Sequence, residues 1–345
     1  MSADTAVFST AVILPNWIGD GVMATPALQA LRDAAGSVAR IEAFGPASVC
    51  ELLAGHPALT ALHPLPNLGP ARRGLPGARA FALALQLRAG NFDRIVLLSN
   101  GLGVAIAAWL AGIAQRIGYD RRGRGMFLTT ARQPPREGGQ LLPIPAIDYY
   151  LALVQAPGGM RPAMMLATSA ADEAAATALL SIFADRPDHP LVILNNNAAR
   201  SREKLWPADA MAELARRIAE SFEVSVLIMG APGLEAQALH MAALARHPQV
   251  RAAMPAGLGA LKACIRRACL MVSTDSGPRS IAAALDVPLV SLFGPTDPRW
   301  TLLYKPNEIM IEAREQRSMK ELSVERVFAA VRGQLEQRRP MNIVP

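Results

Sequence analysis

LMVSTDSGPRSIAAALDVPLVSLFGPTDPRW, residues 270–300, reads as a strand, a loop, a short helix and a second strand. The run 270–273 is apolar, Thr274-Asp275-Ser276-Gly277-Pro278 is turn-forming, 281–285 is a helix body, and 289–293 is apolar again. A strand–helix–strand unit of this length belongs to a parallel sheet. Its loop also sits where a helix begins, so Ser276 and Gly277 place a hydroxyl and backbone N–H groups at the positive end of a helix dipole, which suits a phosphate. An ordinary turn with an N-cap is the plainer alternative. The second loop, 294–298, leaves the next strand, and two such loops in one half favour the phosphate reading.

The same alternation extends outward in both directions. Strands are expected at 191–194 and 224–229, with helices at 208–221 and 234–246. The first half repeats the pattern: strands at 11–14, 41–44 and 94–98, and helices at 22–35 and 101–114. The stretch 155–170, with Pro157, Gly158, Gly159 and Pro162, is the linker candidate. The reading is therefore α/β with two Rossmann-like domains, 1–160 and 161–345. A terminal helix at 324–338 either stays with the second domain or packs back on the first. Ligands in such sheets sit at the carboxyl ends of the strands.

Composition narrows the function. Hydrophobic residues make up 51% and charged residues 18%, which excludes a disordered chain. Cys50, Cys264 and Cys269 form no disulfide framework or Cys-x-x-Cys pair, so a reducing, cytoplasmic compartment is expected. The longest apolar run, 102–114, is too short to span a bilayer and reads as a buried helix. The formal charge is +7, which allows peripheral contact with an anionic membrane surface, and no nucleic-acid motif is present. No Asp-x-Asp occurs, and the five histidines lack metal-ligand spacing, so no metal or other cofactor is expected. A Walker A loop and a G-x-S-x-G elbow are also missing.

Two further stretches carry candidate chemistry. Gly19-Asp20-Gly21-Val22-Met23-Ala24 follows the first strand, where Asp20 is either a helix cap or a general base. Read as G-x-G-x-x-A, with Glu42 at the distance of a ribose-binding acid, it is a weak dinucleotide fingerprint. The polar stretch 195–207 holds Asn197, Arg200, Arg202 and Lys204 and leads into Trp206-Pro207. Its cations suit a diphosphate, and a solvated charge run is the alternative.

Taken together, LPNWIGDGVMATPALQALR, KLWPADAMAELARRI, MGAPGLEAQAL and STDSGPRSIAAALDVPLVSLFGPTDPRWT resemble glycosyltransferase family 9, the ADP-heptose:lipopolysaccharide heptosyltransferases. The resemblance implies a GT-B fold, with an acceptor-binding first domain and a nucleotide-sugar-binding second domain facing a central cleft. It also implies metal-independent transfer of a heptose, with inversion, from an ADP-activated donor to a lipopolysaccharide core or similar anionic glycolipid. Asp20 falls on the family's base, Lys204 on its phosphate-binding lysine, Glu235 on its ribose-binding acid, and Asp275, Ser276 and Gly277 on its donor loop. Arg200 and Asn197 join the donor side, and Trp17, Arg121 and Arg122 are acceptor candidates. Arg121 and Arg122 form a basic segment with Arg116 and Arg124. The chain departs from the family pattern at Ser280, where histidine is usual, and at Asn196-Asn197, where Pro-Gly is usual. The competing readings are a sugar-nucleotide-binding protein without catalysis and a nicotinamide-dependent oxidoreductase.

Overall fold

The computed structural model describes residues 8–65, 76–154, 161–197 and 201–337. The chain divides into two compact units, Met1–Ala167 and Thr168–Pro345. Each is described on its own.

The first unit holds β1 (Ser9–Ile13), β2 (Arg40–Gly45), β3 (Ala61–Pro64), β4 (Arg94–Leu97), β5 (Gln115–Tyr119) and β6 (Thr130–Arg132). They form one parallel sheet in the order β3-β2-β1-β4-β5-β6. A two-stranded antiparallel ribbon, β7 (Arg136–Glu137) and β8 (Gln140–Leu141), follows. The second unit repeats the order with β9 (Leu191–Asn195), β10 (Ser225–Met229), β11 (Val250–Ala253), β12 (Ala268–Thr274), β13 (Leu289–Phe293) and β14 (Glu308–Glu312). Its sheet runs β11-β10-β9-β12-β13-β14, again parallel. This is the α/β class expected from the sequence, two Rossmann-like units of the GT-B kind.

The order matters because it reverses next to the first strand of each unit. Loops leaving β1 and β4, and those leaving β9 and β12, turn toward opposite faces of their sheet and leave a crevice between them. β1, β9 and β13 are buried along their whole length, as central parallel strands covered on both faces must be. In the second unit Val192, Leu194, Val226, Ile228, Val272 and Val290 pack under the helix Ala208–Ser221. The terminal helix, Val324–Glu336, puts Val327, Phe328, Val331 and Leu335 into this same core. Its apolar stripe is already used.

Several expected elements shift. The helix expected at 22–35 is two helices, Ile18–Met23 and Thr25–Ala35, because Pro26 enters at the start of the second. The helix at 101–114 spans Leu102–Leu110 and is stopped by Gly112 at φ +77°. It is also not wholly buried, since Trp109 is half exposed. Part of the linker stretch, 155–160, lies outside the described residues.

Candidate active site

In the second unit the crevice between β9 and β12 is built by a buried hydrogen-bond network. Asn195 ends β9 with its side chain fully buried, and its Nδ2 donates to Ser273 Oγ and Ser276 Oγ, both at 2.9 Å. Asn197 Nδ2 donates to Asn195 Oδ1 and to the Met229 carbonyl, both at 2.8 Å, joining β9 to β10. Thr274 Oγ1 donates to the Asn197 carbonyl at 3.2 Å. A satisfied network of this kind fixes three strand-end loops relative to one another.

Asp275 lies at the centre. One carboxylate oxygen takes Lys204 Nζ at 3.2 Å, and the other faces Arg279 Nη1 at 3.4 Å. The helix Gly277–Ala284 begins two residues later, and its first-turn N–H groups have no partner within the helix. Lys204 is positioned from below. Trp206, two residues on, is buried and donates its indole N–H to the Leu322 carbonyl at 2.9 Å. Asn196 clamps both backbone groups of Trp206, donating to its carbonyl at 2.8 Å and accepting its N–H at 2.9 Å. Asn196 is thus a structural clamp on Trp206.

Arg279 was not foreseen as part of the site. It is fully buried, and its Nε lies 2.7 Å from Glu308 Oε1 and 3.0 Å from Ser291 Oγ. Its Nη1 donates to the Thr301 carbonyl at 3.0 Å, and the guanidinium sits 4.7 Å from the Phe293 ring centre. Lys204, Asp275, Arg279 and Glu308 therefore alternate in sign along a continuous chain. Only the i, i+4 spacing of Asp275 and Arg279 was visible locally. Glu308 comes from β14, twenty-nine positions away.

Glu235 opens the helix Glu235–Ala245 after β10 and accepts the Gly233 N–H at 3.0 Å. Its own N–H and that of Gly233 hold its carboxyl below the usual carboxylate range. β10 and β12 flank β9, so the loops carrying Glu235 and Asp275 leave strands on either side of β9. Arg200 lies outside the described residues.

In the first unit the matching crevice holds Asp20 and Asn100, in the segments leaving β1 and β4. Asp20 is not the cap of its helix. That place is taken by Trp17, whose carbonyl accepts the Gly21 N–H at 2.8 Å, and Asp20 sits inside the first turn, where the dipole favours a carboxylate. The Asp20 charge reaches the Tyr150 phenol, whose pKa is raised well above normal by burial first and by Asp20 next. Tyr150 stays protonated beside it. Asn100 Oδ1 accepts from Arg124 Nη2 at 3.1 Å and from Tyr149 OH at 3.2 Å.

The expected basic segment separates. Arg124 is fully buried and bonds the Tyr119 carbonyl at 2.7 Å and the Ser99 carbonyl at 2.6 Å, while Arg116 Nε holds the Phe127 carbonyl at 2.7 Å. Arg121 is half-buried, and Arg122 is exposed at φ +57°. The dinucleotide fingerprint fails on two counts. Glu42 lies in mid-strand on β2, paired with His63 at 2.6 Å. Gly21 is required by packing, since a Cβ there would come 2.8 Å from Val49 Cγ1. Among the described residues no group of three or more His, Cys, Asp or Glu is placed to hold a metal ion.

Two Rossmann-like units, each with a polar crevice at its reversal point, make the GT-B architecture. The pattern described as "Glycosyltransferase family 9 (heptosyltransferase)" matches residues 80–331. The chain is 31% identical over 306 residues to lipopolysaccharide heptosyltransferase 2 of Salmonella typhimurium, covering 84% of each. The E. coli ADP-heptose LPS heptosyltransferase II superposes with a TM-score of 0.80 at 22% identity, covering 96% of this chain and 99% of that one. A family 9 glycosyltransferase from Veillonella parvula gives 0.83 at 19%, covering 96% and 97%. The chain belongs to glycosyltransferase family 9, the heptosyltransferases.

Proposed function

We propose that the protein transfers a heptose from ADP-heptose to a lipopolysaccharide core acceptor, by a single displacement that inverts the anomeric centre. The observation that carries this reading is Lys204 seated on Asp275 beside the start of the helix Gly277–Ala284. A cation and a helix N-terminus side by side make a diphosphate site. In this reading the ribose reaches toward Glu235, and diphosphate charge is met by Lys204 and helix N–H groups rather than by a metal ion. Trp17, Arg121 and Arg122 serve the acceptor. The enzyme works in the cytoplasm and meets its anionic glycolipid at the inner-membrane surface.

Asp20 takes the proton of the acceptor hydroxyl as its oxygen bonds to the anomeric carbon. The bond from that carbon to the phosphate oxygen breaks, and ADP leaves with the electron pair. General-base assistance contributes about 10²–10⁴-fold, and each preorganised donor to the leaving phosphate roughly 3 kcal/mol.

Mass spectrometry of products from a panel of nucleotide-sugars and truncated lipopolysaccharide acceptors tests the reading. Heptose addition from ADP-heptose is expected, with Asp20→Asn losing about 10²–10⁴-fold in turnover while ADP binding persists. Nucleotide binding with no product from any donor would establish the non-catalytic alternative.

A further inference from the structure

The side-chain amide of Asn100 is pinned at its oxygen and bare at its nitrogen. Asn100 lies between β4 and the helix Leu102–Leu110, and its Oδ1 accepts from Arg124 Nη2 at 3.1 Å and from Tyr149 OH at 3.2 Å. A guanidinium has donors only, so the atom that faces it is the amide oxygen, and the amide has one orientation. Its partners are fixed in turn. Arg124 is fully buried, bonds the carbonyls on either side of Asn100, Ser99 at 2.6 Å and Gly101 at 3.4 Å, and donates through Nε to the Tyr119 carbonyl at 2.7 Å. The Tyr119 ring stacks on that of Tyr149 with 3.9 Å between centres, and its hydroxyl donates to the Tyr149 carbonyl at 2.9 Å. Burial raises the Tyr119 pKa to about 12, so this donor persists at neutral pH. Arg124, Tyr119, Tyr149 and Asn100 therefore close a ring of contacts.

What the ring leaves over is Nδ2. Among the described residues nothing accepts from it, and Asn100 is only partly buried, so the nitrogen reaches solvent. Its two N–H groups are held at the crevice of the first unit, where the segment carrying Asp20 also emerges. Donation from Arg124 to Oδ1 polarises the amide and strengthens those N–H groups as donors. We infer that Asn100 binds the acceptor, donating from Nδ2 to an anionic oxygen that carries no hydrogen, a carboxylate or a phosphate. Asp20, which accepts only, is left for the hydroxyl that gives up its proton. A position built to donate rejects a ligand that lacks the matching oxygen, so Asn100 selects among acceptors. The inference takes the name of its ligand from the proposed transfer and the contact itself from the geometry of Asn100.

Asn100→Asp tests this, because it keeps an oxygen for Arg124 and Tyr149 and replaces only the N–H donors. Binding of a deacylated, water-soluble lipopolysaccharide core to the full-length protein is measured by calorimetry without donor, and transfer is measured in steady state. The variant should bind the core roughly ten- to a hundredfold more weakly and raise its KM by the same factor, with kcat changed less. Its Kd for ADP should be that of the wild type, and its melting temperature should not fall, since a carboxylate on Arg124 is a stronger acceptor than an amide. The weakening should persist in high salt, which screens repulsion at a distance but not a direct bond. Titrations with core treated with phosphatase, and with core whose carboxyls are amidated, name the oxygen: one treatment should weaken the wild type and level the two proteins. Equal binding by both proteins overturns the inference, as do a loss that salt abolishes, a difference that survives both treatments, and a wild type that binds no core. A lowered melting temperature overturns it too, by contradicting the orientation of the amide. Core binding that depends on Asn100, with no product from ADP-heptose, would uphold the inference and strike the transfer instead.

Discussion

Among the described residues each unit buries one arginine completely at the carboxyl rim of its sheet, and the two are held in opposite ways. Arg279 lies between carboxylates, with Glu308 at 2.7 Å and Asp275 at 3.4 Å. Arg124 has only neutral oxygens within bonding distance: the Tyr119, Ser99 and Gly101 carbonyls and the Asn100 amide. Burial draws the Arg124 pKa down to about 10, still charged at neutral pH. The second unit therefore pairs its buried charge inside a sign-alternating chain that ends at Lys204, whereas the first unit bonds its buried charge to neutral oxygens, with the Asp120 carboxylate acting on it only through space. The rim of the second unit is a closed electrostatic circuit, and that of the first is a cage of neutral oxygens.

The largest test of that contrast is Arg279→Met. Two buried carboxylates lose a partner, which should cost about 3–5 kcal/mol in urea unfolding. Adding Glu308→Met should recover part of the loss. Arg124→Met should cost about 1–3 kcal/mol with no side-chain rescue, because its partners are mainly backbone carbonyls. Equal cost and equal rescue at both sites would erase the distinction.

Acid should separate the units next. His56, buried in the first unit, accepts the Ala58 N–H on Nδ1, and burial lowers its pKa from 6.5 to about 4. The unfolded chain takes up a proton from pH 6.5 downward, while the folded chain resists until about pH 4. Stability is therefore present above 6.5 and lost as pH falls through this window, by about 3 kcal/mol. Hydrogen exchange should show β1–β5 opening before β9–β13, and His56→Asn should flatten the dependence. Exchange that rises equally in both sheets would count against it.

The smallest expected effect is Lys204→Met, about a hundredfold in kcat or ~2.7 kcal/mol. Unfolding stability should change by less than about 1 kcal/mol, since Asp275 keeps Arg279 and Lys204 is partly exposed. A stability loss as large as that of Arg279→Met would mean that the circuit is structural throughout.

Much of this was legible in the sequence, and the rest has a physical reason for escaping. Fully buried strands such as β9 and β13 announce themselves as apolar runs. β3, β11 and β14 do not, because they lie toward the sheet edges, are only partly buried and mix polar with apolar residues. Lys204, Asp275, Ser276 and Gly277 were found because strand-end loops and helix starts leave local signatures, and the structure joins Lys204 to Asp275. The Arg279–Glu308 pair left none, since it closes across two strands between residues distant in sequence. Arg124 looked like one more exposed arginine of a basic run. Only the fold turns it inward.

The bond from the Trp206 indole to the Leu322 carbonyl gives the crevice of the second unit an order of assembly. All six strands of the first sheet precede residue 133, so that unit's sheet can close while the chain is still emerging from the ribosome. The second cannot complete its core in the same way. Trp206 must wait for a backbone group 116 residues later, followed by the helix that carries Val327 and Phe328. Until then Lys204, two residues before Trp206, hangs on an unfinished wall, so its pairing with Asp275 is among the last features a newly made chain acquires.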